Sequence, residues 1–287
     1  MRLRPGFTLD DAQRGLTFVY GLFHGLHGSK EGGSVNAVAY LTAVDLAQPH
    51  LLAFSDPDLG TDLRSTAYWQ IFSLTGIAKS SGNRAAFSEV NIQVAALGKA
   101  QEELDTLKEY ASRPGLAVFY DTHMLNHWNS PSAVVWQEVL KAGGRPTKTV
   151  RLVVPDAVIG ELDQQKYGQG DLAKRAATAL VYLERTLRDT APGQPVEIRP
   201  GVTLEVRMSP PGPREAIQDV DWHILQAASD LQQLNPASTV LVLCDDTAMK
   251  LRARQIGLDT FCLPNKERKN ESTSAKAKAE QTPAEAS

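Results

Sequence analysis

Pro114-Gly115-Leu116-Ala117-Val118-Phe119-Tyr120-Asp121 divides this chain into two patterns of hydrophobicity. From here onward the apolar residues come in short, nearly continuous runs: residues 116–120, 150–154 and 240–244. Runs of that length without polar alternation belong to strands buried on both faces. Between them lie segments of helical period, Leu172, Ala176, Leu180, Leu183 and Leu187 in one, Val220, Ile224, Ala227, Ala228, Leu231 and Leu234 in another. Strand alternating with helix predicts an α/β fold, a three-layer α/β/α domain on a mainly parallel sheet. Further short strands are expected over residues 196–199, 202–208 and 260–263.

Upstream of Pro114 the period is helical. Leu9, Ala12, Leu16, Val19, Phe23 and Leu26 recur on one face behind Thr8, a residue suited to cap the first helix. Helices are predicted over 35–47, 62–78 and 85–112, separated by Pro57-Asp58-Leu59-Gly60 and Ser81-Gly82-Asn83. At the other end, residues 266–287 are rich in Lys, Glu, Ala, Ser and Thr without apolar periodicity, the composition of a disordered tail. The expected organisation is a helical N-terminal region (1–114), an α/β domain (115–265) and the tail (266–287).

With 287 residues, 42% hydrophobic and 22% charged, the chain can bury a sizeable core. Its formal charge of -3 provides no global positive field for holding a polyanion, so any such site is local. Two cysteines, Cys244 and Cys262, are too few for a disulfide framework and fit a reducing cytoplasm. The apolar stretch 16–26 is interrupted by Gly21, His24 and Gly25, which argues against a membrane span. His24 and His27 have one-face helical spacing but no third ligand at a diagnostic interval, so the bland reading of ordinary histidines is favoured.

The chemistry is expected where acids meet strand ends. Asp121 ends one strand, and Asp245 and Asp246 end another. In an open parallel sheet the ligand crevice lies outside the carboxyl ends of the strands. Glu161 follows the strand 150–154 and is expected in the first turn of a helix, and Asp221 opens the helix carrying Ile224 and Leu225. Singly, each is most simply a helix cap or a complement to a helix dipole. Together, apposed carboxylates are costly unless a cation neutralises them, and oxygen ligands suit Mg2+ or Mn2+. The usual chemistry of such a cluster is phosphodiester hydrolysis. Lys174 and Arg175, near the start of a helix, are the candidate phosphate contacts for RNA, against the alternative of a solvated helix face.

Four segments resemble the PIN-domain nucleases, in particular the branch attached to PhoH-type ATPases and the nonsense-mediated-decay endonucleases. They are Val118-Phe119-Tyr120-Asp121-Thr122-His123, Val153-Val154-Pro155 leading to Glu161-Leu162-Asp163, Asp219-Val220-Asp221-Trp222-His223-Ile224-Leu225, and Val240-Leu241-Val242-Leu243-Cys244-Asp245-Asp246. Order and spacing match as well, with 40 residues from Asp121 to Glu161, 60 to Asp221 and 25 to Asp246. The resemblance implies metal-binding acids at Asp121, Glu161, Asp221 and Asp246, with Asp245 as substitute or supplement. Asp163 and Asp219 lie beside matched acids, and which of each pair faces the metal stays open. His123 stands where the family commonly has Asn, and Cys244 where it commonly has Thr or Ser, so the orientation of Asp121 and Asp246 is expected to differ.

The expected function is a metal-dependent endoribonuclease acting on single-stranded RNA and leaving 5′-phosphate and 3′-hydroxyl ends, with a toxin role as a further implication of the resemblance. Two rivals stand beside it: an RNA-binding or scaffold protein that keeps the fold without the chemistry, and a structure-specific DNA nuclease. An inhibitor protein or a second copy of the chain is the candidate protein partner.

Overall fold

The structure, a computed structural model, describes residues 1–28, 34–55, 63–208 and 219–269. Two compact units divide them: residues 1–113 with Ser229–Ser238, and residues 114–208, 219–228 and 239–269.

The first unit is helical. Helix α1 (Leu9–Gly28) begins with the expected cap: Thr8 Oγ1 accepts from the Asp11 amide at 3.1 Å, and Asp11 Oδ2 accepts from the Thr8 amide at 3.0 Å. This reciprocal pair satisfies two amide donors at the start of the helix. Leu16, Val19 and Phe23 of α1 are buried with Tyr40 and Val44 of α2 (Ala37–Ala47), Tyr68 and Ile71 of α3 (Thr66–Thr75), and Val90, Leu97 and Leu104 of α4 (Lys79–Ser112). Gly15 allows a close approach, because a Cβ there would overlap the His50 carbonyl oxygen of the 3-10 turn Gln48–Leu51.

Helix α4 starts at Lys79 and runs through Ser81-Gly82-Asn83, which the sequence suggested as a break. Asn83 stays in the helix because its polar groups have other work. Its Oδ1 accepts from the Ala37 amide at 2.9 Å, at the start of α2, and its carbonyl accepts from Val35 at 3.2 Å. The other suggested break, residues 57–60, lies outside the described residues.

The second unit is built on a six-stranded sheet in the order β3-β4-β2-β1-β5-β6. Its strands are β1 (Leu116–Tyr120), β2 (Val150–Pro155), β3 (Val196–Arg199), β4 (Val202–Arg207), β5 (Val240–Leu243) and β6 (Asp259–Phe261). All pairings are parallel except the β3–β4 hairpin, and the hairpin turns at Gly201, whose φ of +72° suits a residue without a Cβ. As expected from their apolar runs, β2 and β5 are buried at every position. The helices are α5 (Thr122–His127), α6 (Trp136–Ala142), α7 (Asp156–Gln165), α8 (Asp171–Leu187), α9 (Val220–Leu234) and α10 (Thr247–Gln255). Together they complete the α/β/α arrangement.

One polar pair interrupts the apolar interior. Arg151 of β2 and Glu205 of β4 are both almost fully buried, and the Arg151 Nε donates to Glu205 Oε1 across the neighbouring strands.

The strand order sets the position of the site. From β1 the chain adds β2 and β4 to one side, then returns with β5 to the other side of β1. The crevice of a doubly wound sheet opens at such a reversal, outside the carboxyl ends of the two strands. Here those ends carry Asp121 and Cys244-Asp245-Asp246.

Beyond β6 the chain remains attached. Asn265–Glu267 forms a 3-10 turn, and residues 267–269 pair with residues 127–129: Asn129 N donates to Glu267 O at 2.8 Å, and Lys269 N to His127 O at 2.8 Å. The expected disordered tail spans residues 266–287; residues 266–269 are instead held in place, and residues 270–287 lie outside the described residues. No helix among the described residues is long and apolar enough to cross a membrane.

Candidate active site

Asp121 follows the last residue of β1 and is held at the strand end by its amide, which donates to Leu243 O of β5 at 3.2 Å. It is only 6% exposed. Burial, then the charges of Asp221 and Glu161, push its carboxyl up to about 7. The backbone amides of His123 and Thr122 pull it back in part. Among the described residues, none of the groups that act on it most strongly is a cation.

Asp221 lies in the first turn of α9. Its carboxyl is raised by burial and by Asp219, Asp246 and Glu161, and lowered by Arg252. The Arg252 guanidinium on α10 donates to Asp219 at 2.8 Å and to Asp221 at 3.3 Å. Asp219 and Asp221 therefore share one cation, and Asp221 is the larger of the carboxylate charges acting on Asp121.

Glu161 stands further into α7 than the expected first turn, because that helix begins at Asp156, directly after β2. Its side chain accepts from Gln165 Nε2 at 3.0 Å, and Gln165 Oε1 accepts from the buried Asn126 of α5 at 2.7 Å. This relay fixes one Glu161 oxygen from behind. Asp163 points its charge elsewhere, into an ion pair with Lys166.

Asp246 caps α10, its Oδ1 accepting from Met249 N at 2.8 Å, and still acts on Asp221. The bland reading of an acid at a helix start thus holds for one of its oxygens. Asp245 is exposed, accepts from Cys262 Sγ at 3.4 Å and lies 3.6 Å from Lys250 Nζ. Cys244 is fully buried beside Asp121, and its thiol is pushed up to about 12 by burial and then by that carboxyl.

Among the described residues, no three His, Cys, Asp or Glu side chains converge closely enough to be a ready metal-binding group. The donor chemistry nevertheless fits a hard divalent ion. Carboxylates from four separate segments raise the proton affinities of Asp121 and Asp221, and among the described residues no cation stands among the strongest groups acting on the more buried one.

Of the suggested phosphate contacts, Lys174 is exposed and lies 4.0 Å from Asp171. Arg175 Nη1 meets His127 Nδ1 at 2.7 Å. Sequence patterns missed Asn126, Gln165 and Arg252 as supports of the acids. Their roles depend on contacts between α5 and α7 and between α9 and α10, for which no local period exists.

No curated relative matches the chain. A solved structure described as a domain of a functionally unknown protein from Methanocaldococcus jannaschii DSM 2661 is similar at 16% identity and a TM-score of 0.33, over 55% of this chain and 98% of that one. The PIN domain profile matches residues 117–263, just over half of the chain, and takes in every one of the acids described above. PIN domains are typically nucleases that use divalent metal ions, and this chain belongs to the PIN-domain family.

Proposed function

We propose that residues 115–265 form a metal-dependent endoribonuclease that hydrolyses phosphodiester bonds of single-stranded RNA, carried by a helical region at residues 1–114. The observation that carries this reading is the electrostatic coupling of Asp121, Glu161, Asp221 and Asp246 at the carboxyl end of the parallel sheet. These four acids would hold Mg2+ or Mn2+, with Asp245 beside Asp246. The ion, when bound, supplies Lewis-acid stabilisation of the charge that develops on the phosphate.

The chain's own residues do the positioning. Burial keeps water from screening Asp121, so a cation that meets it is attracted more strongly than at the surface and favours the charged form of a carboxyl that burial alone pushes up. The Asn126–Gln165–Glu161 relay holds Glu161 in one orientation. Arg252 holds Asp219 and Asp221 together. The same Arg252 favours the second reading, an RNA-binding protein without cleavage, because it already neutralises part of the acidic charge.

Labelled single-stranded RNA and DNA, incubated with Mn2+, Mg2+ or EDTA, separate these readings. The wild type should cut RNA only with a divalent ion, and a folded Asp121→Asn, Asp221→Asn double variant should lose at least about 100-fold of that rate. Metal-independent cutting, or full activity in the double variant, would overturn the proposal. Cutting of DNA alone would make the protein a DNA nuclease, and RNA binding without cutting would leave the second reading.

A further inference from the structure

A second cluster of charge, opposite in sign, lies beside the acidic one. The pairing of residues 267–269 with 127–129 carries Arg268 and Lys269 to the end of α5. The Arg268 guanidinium lies 5.4 Å over the ring of Trp128, whose burial fixes the ring plane. Lys269 Nζ donates to Leu125 O at 2.9 Å and Asn126 O at 3.2 Å. Arg175 reaches the same place from α8 and donates to His127 Nδ1. The His127 ring packs against His123 at 4.2 Å between centroids, and His123 in turn lies within the field of Asp245 and Asp246.

We propose that Arg175, Arg268 and Lys269 form a phosphate subsite that takes a backbone phosphodiester flanking the one at the acidic site. The subsite rests on the nucleic-acid reading of that site and adds to it where the strand runs.

Three features support the assignment. Like charges are gathered from two segments far apart in the chain rather than scattered. The groups acting on His127 besides its burial are His123, Arg175, Arg268 and Lys269, with no acid among them, and they help to lower its ring to about 4. A neutral His127 accepts from Arg175 and so orients its guanidinium without adding charge. Burial and the nearby Arg175 also lower the ammonium of Lys269, the expected state of a cation waiting for an anion. The alternative, a lysine that merely satisfies the last carbonyls of a short helix, accounts for Lys269 but not for Arg175 or Arg268.

The test is binding of a fluorescent single-stranded RNA 12-mer to the full chain in EDTA, across a salt series. Arg175→Gln, Arg268→Gln should weaken binding about tenfold or more and reduce the salt slope by about 1.4, at about 0.7 per lost phosphate contact. Lys141→Gln, Lys148→Gln, which removes two exposed cations, one in the last turn of α6 and one just before β2, should change neither. Arg268→Glu alone should weaken binding further than Arg268→Gln. An unchanged slope in the folded Arg175, Arg268 variant, an equal loss in the control, no measurable RNA binding by the wild type, or displacement of the effect onto polyglutamate would each overturn the subsite. Failure of the two readings is distinguishable: RNA binding that needs the arginines in a chain that never cuts sinks the nuclease alone, whereas metal-dependent cutting with an unchanged slope sinks the subsite alone.

Discussion

Glu205 and Asp121 are both buried acids on one sheet, and they meet opposite company. Glu205 sits in mid-strand on β4 and faces Arg151 across the β2–β4 pair. Asp121 sits one residue past the end of β1 and faces two further acids. A charge buried inside a sheet survives only with its counter-ion built in, since the desolvation of an unpaired ion costs several kcal/mol. A charge at the strand end can remain uncompensated by protein if something from solvent completes it. The buried pair belongs to the architecture, and the buried acid at the strand end belongs to the proposed site.

That contrast can be broken most forcefully at Glu205. Glu205→Ala should cost about 3–5 kcal/mol in urea unfolding by stranding Arg151, while Arg151→Met, Glu205→Leu should cost much less. Equal losses in the two variants would show that the pair is not held as a unit.

The opposite sign is expected at Asp121. Its folded carboxyl titrates near 7 against an unfolded value of about 3.8, so its stabilising contribution is complete below pH 3.8 and is lost as the pH rises through about 7. In EDTA at pH 8, Asp121→Asn should therefore be more stable than wild type by about 1–3 kcal/mol. Millimolar Mn2+ should stabilise the wild type and leave the variant unmoved. A variant less stable than wild type in EDTA would place a cation at Asp121 that belongs to the protein.

The smallest effect concerns His127, in the basic cluster. Its ring is lowered to about 4 from the usual 6.5, so its contribution is present above pH 6.5 and lost as the pH falls through 4. Wild type should lose thermal stability relative to His127→Gln between pH 7 and pH 4.5. A difference that stays constant over that window would mean that His127 is not held neutral by its surroundings.

The strand pattern is legible in the sequence. The buried runs at 116–120, 150–154 and 240–244 name their strands because burial on both faces leaves a local mark, and the acids that follow them stand at strand ends for the same reason. Arg151 lies inside one of those runs, and nothing local announces that its partner is Glu205, two strands later in the sequence. Asn83 likewise reads as a helix break until its side chain is seen to serve α2.

The residues of the basic cluster show the same limit. Residues 266–269 have the composition of a tail, and only their pairing with 127–129 brings Arg268 and Lys269 to Arg175. The sequence by itself determined the strand pattern, the family and the placing of acids at strand ends, because periodicity, strand ends and motif spacing are properties of short segments. Tertiary structure decided which acid is buried without a cation, which are shared with Arg252, and where the positive charge gathers. Those outcomes depend on distances between segments far apart in the chain, and electrostatic energy follows distance in space, not separation in sequence.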